Sequence, residues 1–463
     1  MPQNFDIILQ QVLKKITPSE QEKQAVHSVI EDVLAETKRI IKPHGLSVVL
    51  AGSFTRNTWL SHKKEFDIFI QFPVDTEREK LEKMGLELGK KIVKSFKGAH
   101  VVAYAEHPYS RCKIRGYDVD IVPCYKVESA EKIKSAVDRT PFHNQYLSKN
   151  LHPHQSADVR LLKTFCKVNG LYGSDLKTQG FSGYLCELLV IKYDSFKNLL
   201  AQASGWLPGQ AFIDLAGKYS GSKKEFWNQP LVVIDPVDPK RNVAAALSPA
   251  VFVKFVNLCK QFLEKPSENF FFKKQKKIKN AEIYKKIKSR GTLFLGIKFS
   301  RPNEVDDIVY PQLRKTAKRL SDILKEYEFA CIGSAAYADK KSCMIIFELE
   351  VWSLPNIRRI PGPPVFAIKN AQEFVNKYKN LGRVWVEEDR WVAETKRPFK
   401  EAEKKLVDSL SESAKILKAK GIASYMADSI AKGFKVLGST QLLKSADQDL
   451  LKTIKNYLEE NFT

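Results

Sequence analysis

Glu65 and Asp67 stand two residues apart in the segment AGSFTRNTWLSHKKEFDIFIQF, inside a run of β-formers. Residues two apart on a strand share a face, so these carboxylates are neighbours while Phe66, Ile68 and Ile70 pack on the other side. Adjacent carboxylates in a half-buried strand repel each other, and a divalent cation between them relieves the repulsion. The segment YDVDIVP (117–123) supplies a second acidic strand, with Asp118 and Asp120 on one face. If it lies beside 65–72, one of its acids completes a site for magnesium, a hard cation that takes oxygen ligands and a substrate phosphate. Ahead of the acidic pair, Gly52-Ser53 closes a short apolar segment. A helix from Ser53 to Leu60 would aim backbone N–H groups and the Ser53 hydroxyl at a phosphate, with Gly52 permitting close approach. Arg56, one turn on, could reach the same anion with its guanidinium fork. Acids, cation and phosphate cradle together suit transfer of a nucleotidyl group to a hydroxyl.

These residues need a sheet to hold them. LSVVLAG (46–52) and EFDIFIQFP (65–73) read as strands, a charged helix spans about 76–97, and AHVVAYAEH, YSRCKIRG and YDVDIVPCY read as three more strands. That order predicts a small α/β domain with a mixed sheet. Residues 1–43 read as helical and about 142–260 as mostly helical, with ADVRLLKTFCKVNG closed by Gly170. Further on, TLFLGIKFS (292–300) predicts a strand, 311–329 a helix opening at Pro311, and ACIGSAAYAD and SCMIIFELEVWSL two more strands. Strand, helix, strand, strand is similar to an RNA-recognition-type layer.

Lys and Arg number 76 against 53 Asp and Glu in 463 residues, a formal net charge of +23. Such an excess points to a polyanionic partner, nucleic acid or an anionic membrane surface. The membrane reading is the weaker one, because no apolar run reaches the length of a spanning helix and the N-terminus lacks a signal-peptide pattern. Lys273, Lys274, Lys276, Lys277 and Lys279 follow Phe270, Phe271 and Phe272, a stretch that could lie along an RNA backbone. Arg314, Lys315, Lys318 and Arg319 give one helix a similar basic character. The seven cysteines are scattered and never form C-x-x-C, so buried free thiols and a cytoplasmic location are expected.

The motifs narrow the reading. DRTPFHNQYL (138–147), ADVRLLKTFCKVNGLYGSD (157–175), QGFSGYLCELL (179–189) and VIDPVDPKRNVAAALS (233–248), with GPPV (362–365) and DRWV (389–392) beyond, resemble archaeal-type, class I CCA-adding enzymes. The resemblance implies an α+β multidomain fold: a nucleotidyltransferase-superfamily α/β catalytic head over 1–142, a helical neck over 143–262, and an α+β body and tail with the RNA-recognition-like layer over 263–463. It implies Glu65, Asp67 and Asp120 as Mg²⁺ ligands and catalytic acids, with Asp118 a supporting acid. By the same resemblance Ser53, Arg56, His143, Lys163 and Tyr172 contact ATP or CTP, and Arg241 reads the incoming base. The implied partners are tRNA, ATP and CTP, in a homodimer without membrane attachment. The implied activity is template-independent addition of CCA to the tRNA 3′ end. Two readings compete with it: a poly(A)- or oligoadenylate-type polymerase with the same acid cluster, and a non-catalytic RNA-binding relative. Unlimited A addition would favour the first, and tRNA binding without nucleotide transfer the second.

Overall fold

A computed structural model describes residues 5–104, 107–273 and 277–459, which divide into two compact units at residues 274 and 275. In the first unit, α1 (Phe5–Ile16) and α2 (Glu20–Ile41) precede β1 (Ser47–Ala51) and β2 (Glu65–Phe72). Then come α3 (Arg78–Ser95), β3 (His100–Tyr104), β4 (Pro108–Ile114) and β5 (Tyr117–Tyr125). These strands form a five-stranded sheet of order β1-β2-β5-β4-β3, in which only β2 and β5 run parallel. A parallel pair needs a crossover, and α3 lies within it. Phe66, Ile68 and Ile70 of β2 join Val119 and Ile121 of β5 in a core closed by Val26, Val29 and Val33 of α2 and Leu81, Leu88 and Ile92 of α3. The strand alternation therefore leaves Asp67 and Asp120 on the opposite face. Two glycines seat α3: a Cβ on Gly85 would come within 2.7 Å of Pro123, and one on Gly89 within 2.2 Å of the Ser110 hydroxyl.

The helices α4 (Arg139–Asn150), α5 (Gln155–Val168), α6 (Gly183–Tyr193), α7 (Phe196–Ala203) and α8 (Pro249–Glu264) complete this unit. Their core includes Phe5, Leu9 and Val12 of α1, and rings of Phe165, Phe196, Phe255 and Phe262. The region is mostly helical, as expected, and within it β6 (Ala211–Asp214) and β7 (Leu231–Ile234) pair in parallel. At four residues each they are too short for period-2 patterning to show. Phe271 is fully buried and Phe270 packs beside it in this same core. Phe271, ahead of the lysine run, is thus a core residue, with Phe270 and Phe272 partly buried against it. Lys274 and Lys276 lie outside the described residues.

The second unit opens with α9 (Asn280–Arg290), β8 (Leu293–Ser300), α10 (Asp306–Glu326), β9 (Cys331–Ala338) and β10 (Ser342–Leu349). A smaller sheet follows, from β11 (Ile357–Pro364), α11 (Ile368–Tyr378), β12 (Val384–Glu387) and β13 (Arg390–Lys396). The chain ends through α12 (Ala402–Leu410), α13 (Ala414–Ala419), α14 (Ser424–Ile430), β14 (Phe434–Gly438), α15 (Ser439–Lys444) and α16 (Gln448–Glu459). The larger sheet, β14-β8-β10-β9, has the first and third strands at its centre, the arrangement of a split β-α-β layer. Its two faces are both covered. Leu295, Ile297 and Phe347 meet α10, α12 and α14, while Phe294, Met344 and Ile346 meet α9, α15 and α16. RNA-recognition sheets expose aromatics on one face for base stacking; this one is a closed three-layer core. Helix α10 also starts at Asp306, ahead of Pro311, which sits inside it. Six of the seven cysteines are buried and Cys331 is half-buried, all as free thiols. Among the described residues no helix is long and apolar enough to cross a membrane.

Candidate active site

The parallel register places Glu65 opposite Asp118 and Asp67 opposite Asp120. Ala51 at the end of β1 pairs with Asp67, so the chain turns at Gly52 directly beside the Asp67 carboxylate. Gly52 has φ +96, and a Cβ there would lie 3.6 Å from Asp67 Oδ2. After it the sequence forms one 3₁₀ turn, Ser53–Arg56, ended by Asn57 in the left-handed region. The longer helix expected from Ser53 to Leu60 does not form, and four residues supply no helix dipole worth the name. What remains for an anion is the side chain. The Ser53 hydroxyl is buried without a hydrogen-bond partner, as is Arg56 Nε. Such orphans are costly unless something else satisfies them.

Both residues line a cavity of about 280 Å³, together with Asp67, His143, Lys163 and Tyr172. Burial first, and then the Asp120 charge, push the Asp67 carboxyl up to about 6. Glu65 is exposed and paired with Lys63 at 2.9 Å. Asp120 is gripped by Arg111, with Nε 2.7 Å from Oδ1 and Nη2 2.6 Å from Oδ2. Among the described residues, accordingly, no three acidic, histidine or cysteine side chains converge as a ready-made metal cluster. The donor chemistry still fits a hard divalent cation. Two carboxylates face each other in register, and the crowding that raises Asp67 is what a cation relieves.

The helices bring the other candidates to the same cavity. Lys163 of α5 is buried and donates to Glu187 Oε1 at 3.1 Å, Thr58 Oγ1 at 3.2 Å and the Thr58 carbonyl at 3.3 Å. An ammonium has three protons, so all of Lys163's are engaged. Arg56 donates to Glu187 Oε2 at 3.0 Å and also to Asn144 of α4. Burial would raise the Glu187 carboxyl, but Lys163 and Arg56 hold it below the usual carboxylate range. One acid of α6 therefore ties the Ser53–Arg56 turn to α5. Burial pushes the Tyr172 phenol up, which keeps it protonated as a donor. Gly183 leaves room for that phenol, since a Cβ there would sit 2.9 Å from its oxygen.

His143 and Arg241 meet at a second buried acid. Asp235 Oδ2 lies 2.8 Å from His143 Nε2 and accepts from Arg241 Nη1 at 2.9 Å, while Oδ1 accepts from Tyr184 at 3.1 Å and from the Val237 N–H at 3.1 Å. Burial opposes its charge, yet His143 and these other partners hold Asp235 below its usual range. His143 stacks on Tyr184, ring centroids 4.0 Å apart. Asn242 pins the loop, accepting from Val233 N–H and donating to the Leu231 carbonyl. Arg241 is held near the cavity but is not part of its lining.

Glu187, Asp235 and Arg111 escape the motif reading. Glu187 carried a signal, because an acid inside the apolar run LCELLVI must find a buried partner. Arg111 carried none, since its match to Asp120 depends on the β4–β5 register.

Three family descriptions match in succession: a nucleotidyltransferase domain over 30–143, the second domain of tRNA nucleotidyltransferase over 157–272, and the C-terminal domain of CCA-adding enzyme over 290–439. The CCA-adding enzyme of Methanosarcina acetivorans is 37% identical over 454 residues, 96% of this chain and 97% of that protein. The chain belongs to the CCA-adding enzymes. Another member of the family, from Methanocaldococcus jannaschii, is 40% identical over 400 residues, 85% of this chain and 88% of that protein. Among solved structures, the Cid1 poly(U) polymerase with Mg and 3′-dATP bound gives a TM-score of 0.46 at 12% identity, covering 58% of this chain and 100% of that one. CCA-adding enzymes are nucleotidyltransferases of tRNA processing, and membership disfavours both the poly(A)-type and the non-catalytic reading.

Proposed function

We propose that this chain builds CCA onto tRNA within the cavity beside Asp67. The 3′-hydroxyl of the tRNA attacks the α-phosphate of CTP or ATP, the bond to the β-phosphate breaks, and pyrophosphate leaves. The carrying observation is that Ser53, whose buried hydroxyl has no partner, lines one cavity with Glu65 and Asp67, and that Asp120 is the register partner of Asp67 on the neighbouring strand. Ser53 donates to a phosphate oxygen, and Arg56 offers its unpaired Nε to the same group. Tyr172 adds a second hydroxyl donor. Lys163 contributes positive potential at short range while Glu187 keeps its ammonium in place. Asp67 and Asp120 would hold Mg²⁺, with Glu65 joining once it leaves Lys63; when bound, such an ion lowers the pKa of an attacking hydroxyl and stabilises leaving pyrophosphate. His143 and Arg241, oriented by Asp235, present donors to the nucleotide. The net charge of +23 supports attraction to the tRNA backbone.

The test is extension of tRNA lacking CCA, with CTP and ATP supplied singly and together. CTP alone should add two residues, both nucleotides three, and extension should then stop. Unlimited A addition without C would contradict the reading and support a poly(A)-type enzyme.

A further inference from the structure

We propose that Arg111 guards Asp120, so that a divalent cation gains this carboxylate firmly only when a nucleoside triphosphate arrives with it. The proposal rests on the assignment of Asp67 and Asp120 as cation ligands. Arg111 on β4 is the direct cross-strand neighbour of Asp120. Its Nε and Nη2 contact separate carboxylate oxygens at 2.7 and 2.6 Å, and Nη2 also donates to the Tyr109 hydroxyl at 2.9 Å. A fork-on-fork pair of this kind is among the strongest and most directional of charge-assisted contacts.

Such a grip works against a metal in two ways. It fills the lone pairs that face the guanidinium, and it sets a fixed positive charge where a second, doubly positive one must come. It also neutralises one of the two facing acids while no cation is present, which lets Asp67 and Asp120 stand in register. A triphosphate reverses the balance, since its oxygens add ligands and negative charge to the same place. Arg111 is free to yield. Its side chain is 52% exposed while that of Asp120 is 16% exposed, so the guanidinium can swing to solvent and keep its bond to Tyr109. Metal loading and nucleotide binding thereby become coupled, each raising the affinity of the other.

The experiment titrates Mn²⁺ into the full chain and follows the paramagnetic resonance signal of the free aqua ion. Wild type, R111A, R111Q and D120N are compared without nucleotide and with a non-hydrolysable α,β-methylene CTP. Without nucleotide, R111A and R111Q should bind Mn²⁺ about tenfold more tightly than wild type, a coupling of ordinary allosteric size. With the CTP analogue, the three proteins should differ by no more than about threefold. R111Q keeps much of the side-chain volume and serves if R111A melts early. Equal or weaker Mn²⁺ binding in both Arg111 variants, with D120N impaired, overturns the guarding role alone. Unimpaired Mn²⁺ binding in D120N would instead overturn the carboxylate assignment beneath it.

Discussion

Asp67 on β2 lies directly opposite Asp120 on β5, on the sheet face turned away from α2 and α3. The relationship is fixed by the fold's core, because the alternation that buries Ile68 and Ile121 must lift Asp67 and Asp120 together.

Ser53 offers a test that separates binding from folding. Its hydroxyl is buried with no partner, so removing it sacrifices no protein hydrogen bond. S53A should melt within about 0.5 kcal/mol of wild type in urea, as a substitution with no lost contact does. Its KM for CTP should rise about tenfold, the worth of one charge-assisted hydrogen bond. Steady-state kinetics and a denaturation curve on the same preparation decide it. Unchanged KM would remove Ser53 from the phosphate site.

Glu187 is expected to behave in the opposite way. Removing it strands Lys163 and the Arg56 fork without their buried counter-charge. E187A should cost about 3–5 kcal/mol in urea unfolding, the usual penalty for breaking a buried ion pair from one side. The pH dependence has a definite sign. The Glu187 carboxyl is held below its ordinary value in the folded state, so its contribution is present above the unfolded pKa of about 4.3 and is lost as pH falls through the lower folded value. E187Q should flatten the stability curve in that acid window and nowhere else.

Asp235 aligns two donors rather than touching nucleotide. D235N keeps the shape but loses the charge facing His143 and Arg241. kcat/KM for CTP and ATP should fall roughly 10- to 100-fold, in line with hydrogen bonds to a charged group. D235E, which restores charge at a shifted position, should recover part of the loss. A fall in melting temperature with unaltered kinetics would leave Asp235 a purely structural residue.

Gly89 tests the frame behind the acids. A Cβ there meets the Ser110 side chain at 2.2 and 2.6 Å. G89A should lower stability by about 1–3 kcal/mol through overpacking between α3 and the sheet. Thermal denaturation reads this directly.

Much of the head was legible because period-2 alternation in EFDIFIQF and YDVDIVPCY is strong, and the strands form at Glu65–Phe72 and Tyr117–Tyr125. Other features depend on pairing across the chain, which no local pattern encodes. Arg111 reaches Asp120 only through the β4–β5 register, and Glu187 reaches Arg56 across 131 residues. The helix expected after Ser53 gives way to a 3₁₀ turn because Asn57 adopts φ 54 and turns the chain toward Thr58 and its buried contacts. Pro311 lies within α10 because that helix begins at Asp306, and the Leu313, Leu320 and Leu324 stripe beyond the proline still packs on the sheet. The covered second face of the large sheet comes from α15 and α16, whose leucines look like any amphipathic helix until their partner is known.

The most direct test of the central claim is to measure extension and tRNA binding together for D67A and D120A, using tRNA lacking CCA with CTP, ATP and Mg²⁺. Loss of the acids should lower nucleotide incorporation by about 10³-fold or more, as removal of a principal transition-state contact does. The tRNA dissociation constant should stay within about twofold, because phosphate attraction to the basic surface does not use these residues. Wild-type turnover by either variant would contradict the account.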